Sequence, residues 1–189
     1  MKKSFRKWAL KELKKAKRLK YQDKRVLNNI KELIKKENAK NILAYIPLST
    51  EVNILPLIKF LRAKGINVYV PFMEGKSFWL VKYRLPLYKR YFGIKEPKFS
   101  KQYRVRDIDL AIIPIVGLDS NCRRIGFGKG MYDRFFEKEG KYIKKILFLQ
   151  RVILFSPKKI TKRHDIRADL IFGSKLRVWT QNSSYAKAS

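Results

Sequence analysis

Between Gly117 and Arg134 the chain reads Gly-Leu-Asp-Ser-Asn-Cys-Arg-Arg-Ile-Gly-Phe-Gly-Lys-Gly-Met-Tyr-Asp-Arg. Gly126, Gly128 and Gly130 alternate with other residues, so the backbone there can enter conformations closed to side-chain-bearing residues and turn its N–H groups toward an anion. A helix is expected to begin at Met131, and a helix N-terminus favours negative charge. Together these features outline a phosphate cradle. Lys129 places a compact cation inside the glycines, Arg124 and Arg134 flank it with forked donors, and Asp133 offers a carboxylate able to hold a magnesium ion or its water shell. Neither the Gly-x-x-x-x-Gly-Lys-Ser/Thr order nor the dinucleotide fingerprint is present. Taken alone, the pattern also fits a glycine-rich turn with solvated charges. Cys122 has no neighbouring base to activate it, and His164 is a lone histidine in a cationic segment, so neither is assigned a chemical role.

The elements around this loop must hold it at an edge. Phe5, Trp8, Ala9, Leu13 and Ala16 recur at three- and four-residue steps, which predicts a basic helix from Lys2 to about Lys20. Val26, Ile30, Leu33 and Ile34 predict a second from about Asp23 to Glu37. Ile42–Pro47 is expected as a strand, Ser49–Asn53 as a loop, Ile54–Leu61 as a helix closing at Gly65, and Ile66–Phe72 as the parallel partner strand. Further strands are expected at Phe78–Tyr83, Asp109–Pro114, Lys145–Val152 and Ala168–Phe172, with an irregular connection over Arg84–Arg106. The alternation argues for a single α/β domain over residues 1–189: an open, mostly parallel sheet with helices on both faces, in the manner of a Rossmann-like three-layer fold. Basic helices occupy about residues 2–38, and the last residues, about 181–189, are expected to form a flexible tail. In such sheets ligands sit at the carboxyl ends of the strands, where both Ser49–Asn53 and Gly117–Gly130 fall.

Composition narrows the class. The 189 residues are 46% hydrophobic, enough for a core without staples, and the single cysteine excludes an intramolecular disulfide or a thiolate metal cluster. A reducing, cytoplasmic setting is expected, since no apolar run approaches the length of a membrane span and Met1–Lys20 lacks an apolar signal core. Forty-six Lys and Arg against 15 acidic residues give +31, a field that draws phosphates and nucleic acid alike. The cations are spread along the chain and no ribonucleoprotein-type aromatic motif accompanies Trp8, Phe72, Trp79 or Tyr83, so nucleic-acid contact is expected to be only non-specific.

At Arg124-Ile-Gly-Phe-Gly-Lys-Gly-Met-Tyr-Asp133 the sequence resembles the 5-formyltetrahydrofolate cyclo-ligase family, also called methenyltetrahydrofolate synthetase, with Ile125 and Met131 as mild departures. The lead-in Pro114-Ile-Val-Gly-Leu-Asp119, the N-terminal Lys2-Lys-Ser-Phe-Arg6, Thr50-Glu-Val52 and Phe92-Gly-Ile-Lys-Glu-Pro97 follow the family in order, so the resemblance covers nearly the whole chain.

The resemblance implies a ligase that uses ATP and magnesium to turn 5-formyltetrahydrofolate, free or polyglutamylated, into 5,10-methenyltetrahydrofolate with release of ADP and phosphate. It implies ATP contacts at Lys2, Lys3, Ser4, Phe5 and Arg6 and along Arg124, Ile125, Gly126, Phe127, Gly128, Lys129, Gly130, Met131 and Tyr132. It implies folate contacts at Glu51 and along Gly128–Tyr132, and metal contacts at Asp133 and Asp165. Trp79 is a candidate wall of the pterin site, and a monomer is expected. The alternative is a basic RNA-associated protein that keeps the scaffold without catalysis, because fold alone does not fix function.

Overall fold

Asn41–Leu43 (β1), Leu55–Ala63 (α3) and Asn67–Glu74 (β2) form the expected βαβ unit, with Ile42 opposite Val68 and Leu43 opposite Tyr69 in parallel register. The computed structural model describes residues 1–90, 93–98, 106–174 and 177–179. The rest of the main sheet grows outward from this unit. Ile108–Pro114 (β6), Ile143–Leu149 (β9) and Leu170–Phe172 (β11) add parallel strands on one side, while Ser77–Lys82 (β3) and Arg177–Trp179 (β12) close the two edges antiparallel. The order is β12-β11-β9-β6-β1-β2-β3. All but one residue of β6 is buried, as a central parallel strand covered on both faces requires.

Both faces are covered. On one, Ile42, Val68, Val70 and Ile112 pack with Val26, Ile30 and Leu33 of Asp23–Lys36 (α2) and with Leu57, Ile58 and Leu61 of α3. On the other, Leu43, Ile113 and Phe148 meet Met131 and Phe135 of Met131–Glu139 (α4). Lys2–Lys15 (α1) presses Ala9 and Leu13 onto Val116 and Leu154 at the sheet's end. The three-layer α/β architecture is the one read from the sequence. No helix among the described residues is long and apolar enough to cross a membrane.

Several boundaries differ from the pattern-based expectation. The first helix stops at Lys15 and continues as a 3-10 turn over Ala16–Gln22. The last parallel strand before the polar segment ends at Leu149, not at Val152, because Gln150 and Arg151 turn inward to bind Ile115 and Asp23. The connection over 84–106 is not wholly irregular: Leu87–Lys89 (β4) pairs with Lys95–Pro97 (β5). The segment Gly117–Gly130 carries two short strands, Gly117–Asp119 (β7) and Arg124–Ile125 (β8), which join Phe155–Ser156 (β10) in a small sheet. Asp119, at the end of β7, anchors the segments that follow β7 and β10. Its Oδ2 accepts hydrogen bonds from the Ile160 and Thr161 N–H groups and the Thr161 hydroxyl, and Oδ1 accepts one from Asn121 N–H. Burial alone would raise its carboxyl, but these donors hold it below the usual carboxylate range. Phe92 and the expected tail at about 181–189 lie outside the described residues.

Candidate active site

The glycine loop leaves β8 and enters α4 in five residues. Arg124, at its start, is buried, donates from Nε to the Pro114 carbonyl at 3.1 Å, and carries its guanidinium 4.7 Å from the centre of the Tyr132 ring. A Cβ at Gly126 would lie 2.3 Å from the Arg124 guanidinium, so a larger residue there would push that side chain from its place. Gly128 sits at φ +102°, a conformation that side chains resist, and Gly130 at φ +66° opens α4 without a side-chain cap. The first N–H groups of α4 therefore have no intrahelical acceptor and form an anion-seeking end. Two arginines brace the loop through its carbonyls: Arg6 of α1 donates to Gly126 at 2.7 Å, and Arg134 donates to Lys129 at 2.5 Å and to Lys76.

Glu51 comes from the opposite side, in the loop after β1. It is 4% exposed, and its Oε2 accepts the Leu48 N–H at 2.7 Å. The loop is clamped from below. Arg151, itself buried, makes a two-pronged ion pair with Asp23 at 2.8 and 2.9 Å and donates to the carbonyls of Thr50 and Glu51. Asp23 also accepts Asn53 N–H at 3.0 Å, and the Tyr45 hydroxyl donates to the Val52 carbonyl at 2.9 Å. Burial pushes the Glu51 carboxyl up to about 7, and the Leu48 N–H and the Arg124 and Arg151 charges offset this only in part.

These two loops face one cavity of about 480 Å³. Lys2, Arg6, Glu51, Arg124, the run from Gly126 to Asp133, and Asp165 all line it. Four residues of the sequence-based set do not. Lys3 and Ser4 point outward from α1, Phe5 packs 5.3 Å from Trp8 and beneath Gly117, and the Ile125 side chain is fully buried in the core. Trp79 is half-buried on β3 and away from the cavity wall, while Phe72 and Tyr83 are core residues.

A model of the 5-formyltetrahydrofolate cyclo-ligase family matches residues 1–161. The chain belongs to that family. It is 34% identical over 109 residues to the 5-formyltetrahydrofolate cyclo-ligase of Haemophilus influenzae, covering 54% of this chain and 58% of that one. With the Escherichia coli K12 protein of the same name it shares 30% over 115 residues, 55% and 61% of the two chains. The matched part thus spans under two thirds of these relatives. In fold it is similar to the 5,10-methenyltetrahydrofolate synthetase of Aquifex aeolicus, with a TM-score of 0.80 at 24% identity over 99% of this chain and 96% of that one.

In this cyclo-ligase family member the donor set around Asp133 fits a magnesium ion shared with phosphates. Its Oδ1 is buried and meets no hydrogen-bond donor, so the carboxylate has an oxygen to give. No group of three or more His, Cys, Asp and Glu that could form an all-protein cage exists among the described residues, and magnesium on phosphates needs only one or two carboxylates. Asp165 is differently engaged. Its Oδ1 holds the Lys2 ammonium at 2.6 Å and its Oδ2 accepts Lys162 N–H at 2.6 Å.

The sequence reading missed the apolar wall formed by Tyr45, Ile46, Leu48, Pro71, Met73 and Ile94. Tyr45, Ile46 and Leu48 follow β1 at the carboxyl edge, where the rule for open sheets could have found them. Met73 and Ile94 carried no such signal. They are brought together by Glu96, buried in β5, whose Oε1 accepts Met73 N–H at 3.0 Å. His164, set aside on sequence, stands in the cavity wall with an exposed ring. Cys122 does not line the cavity, and burial raises its thiol, which leaves it a poor nucleophile.

Proposed function

We propose that this chain catalyses the ATP- and magnesium-dependent cyclisation of 5-formyltetrahydrofolate to 5,10-methenyltetrahydrofolate. The observation that carries the reading is one cavity with two unlike ends: uncapped helix N–H groups and the cations Lys2, Arg6 and Lys129 at one, and the buried Glu51 carboxyl at the other, with an apolar wall between. A purely electrostatic RNA binder has no use for such a cavity.

The chemistry explains the two ends. An amide oxygen is a poor leaving group. When the formyl oxygen attacks the γ-phosphorus, ADP leaves and the formyl carbon becomes an electrophile. Nitrogen 10 then adds to that carbon, loses its proton, and the oxygen departs as phosphate. The protein's share is positioning and charge neutralisation. The α4 N-terminus and the glycine-loop amides hold the triphosphate, with Lys129 beside them. Arg124 lies within electrostatic reach of Asp133, Glu51 and Asp165 and joins the two ends. Asp133 would hold a magnesium ion, which lends positive charge to the phosphates. The role we assign Asp165 is to fix Lys2. Glu51 orients the pterin through its N–H donors. All the groups come from one chain, so a monomer suffices.

Mixing the purified protein with 5-formyltetrahydrofolate, ATP and magnesium should produce the near-ultraviolet band of the methenyl product, and omitting either ATP or magnesium should abolish it. Folded protein that yields no band under any combination refutes the reading.

A further inference from the structure

A second cavity, of about 630 Å³, lies between the Glu51 loop and α2. Leu48 and Glu51 belong to the walls of both cavities, so the two are neighbours across that loop. The chemistry of the second is its own. Lys24, Leu27, Asn28 and Lys31 fall at i, i+3, i+4 and i+7 and form one stripe of α2 along it. The facing wall is apolar at Pro47, Leu55 and Pro56. Its two carboxylates do not set its sign. Asp23 is neutralised by the two-pronged pair with Arg151, and Glu51 is turned to the shared wall with its Oε2 on the Leu48 N–H. Lys31 rests its ammonium 4.5 Å from the centre of the Phe60 ring, and among the described residues neither Lys24 nor Lys31 is paired with a carboxylate.

Size makes this cavity relevant. A cleft of about 480 Å³ suits one drug-sized molecule, yet the function proposed above brings a nucleoside triphosphate and a folate into contact. Part of one ligand must therefore extend beyond the first cavity. The second cavity shares Leu48 and Glu51 with the first and has no glycine-loop residue in its walls, so the molecule that can extend into it is the one held at Glu51.

Resting on that reading, we propose that the second cavity is the subsite for the substrate's tail, with the aryl ring against Leu27, Pro47, Leu55 and Pro56 and the glutamate carboxylates on Lys24 and Lys31. The subsite takes an aromatic group followed by two carboxylates. Its contribution is to affinity for the folate, since the tail lies away from the reacting atoms.

The test compares 5-formyltetrahydrofolate with its glutamate diamide, in which both tail carboxylates are capped and neutral. Apparent KM and equilibrium Kd are measured for both on the natural sequence, on Lys24→Gln/Lys31→Gln, and on Lys138→Gln/Lys141→Gln, a pair of equal charge change at the end of α4 and just beyond it. The natural sequence should bind the diamide roughly tenfold more weakly, as loss of charge-assisted contacts implies. That ratio should collapse toward one in Lys24→Gln/Lys31→Gln and persist in the α4 pair. Equal affinity of the natural sequence for both folates, or a ratio that survives in Lys24→Gln/Lys31→Gln, overturns the subsite while cyclo-ligase turnover stands. A ratio that collapses equally in both double variants also overturns it, because the overall +31 charge would then be responsible. If the natural sequence neither binds nor converts either folate, the function itself is refuted and the subsite with it.

Discussion

At the glycine-loop end of the cavity the main chain supplies the binding groups and side chains brace it from outside, whereas at the Glu51 end a side chain supplies the binding group and the main chain is what is braced. Arg6 and Arg134 grip carbonyls of the first loop, and Arg151 and Tyr45 grip carbonyls of the second. The bracing is alike but the surroundings are opposite. Gly128 and Lys129 are exposed, while Glu51, Arg151 and Asp23 are all buried. A loop of the first kind is sensitive to added atoms, because its amides must approach a ligand closely. A loop of the second kind is sensitive to charge, because its carboxyl is balanced near neutrality by burial.

That contrast can be broken at four points. The largest effect is expected from Gly128→Val. Its φ of +102° and the Arg6 guanidinium 3.1 Å from the new Cβ combine strain with a blocked cradle. Nucleotide titration should show no ATP binding, and thermal unfolding should stay cooperative with a loss of about 1–3 kcal/mol. Normal ATP affinity would leave the nucleotide on Lys2 and Arg6 alone.

Asp133→Asn keeps size and removes charge from the buried, unpartnered oxygen. Turnover should fall roughly 100-fold with a steeper magnesium requirement, folate Kd staying near its original value, as expected where a metal's charge stabilisation is worth several kcal/mol. Parallel loss of stability and activity would instead make Asp133 a structural residue at the helix start.

Glu51→Gln should raise the folate KM roughly tenfold with little change for ATP, since a donor left unpaired costs about 1–3 kcal/mol. It also carries a pH signature. The folded carboxyl titrates near 7 against 4.5 for the free group, so the folded chain keeps this proton to higher pH than the unfolded one. The stability present below about pH 4.5 is lost as pH rises through 7, by about 3 kcal/mol in all. Glu51→Gln should remove that slope, so urea titrations at pH 5 and pH 8 should differ less for the variant than for the natural sequence. Identical slopes would place Glu51 in a solvated setting.

The smallest effect is expected from Lys129→Gly. If the glycine-loop amides hold the phosphates, an exposed lysine adds modestly, and kcat should drop roughly two- to fivefold with ATP still bound. A loss as complete as that of Gly128→Val would move the main chain's role to this side chain.

The same contrast explains what could be read from the sequence. Alternating glycines before a helix announce backbone geometry locally, so the first loop was legible down to Gly126, Gly128 and Gly130. The parallel sheet was equally plain from the alternation of apolar runs and amphipathic helices. Glu51 was visible as a polar residue after a strand, but its burial was not, because the clamp is Arg151, 100 residues later, paired with Asp23 on α2. Met73 and Ile94 were hidden for a related reason. They meet through Glu96, and the hairpin that holds Glu96 shows no periodicity. The engagement of Asp165 by Lys2 was likewise invisible, with 163 positions between them.

That last ion pair also has a consequence for synthesis. Lys2 and Arg6 are made well before their partners: the carboxylate that holds one and the carbonyl that holds the other come 163 and 120 positions later. At the pace of translation, α1 waits roughly 10–30 s before Asp165 exists. During that interval a lysine-rich helix with an exposed Trp8 lacks the carboxylate that anchors its first turn. Until then the lysines of α1 keep that helix solvated, and their charge is as useful on the ribosome as in the cavity.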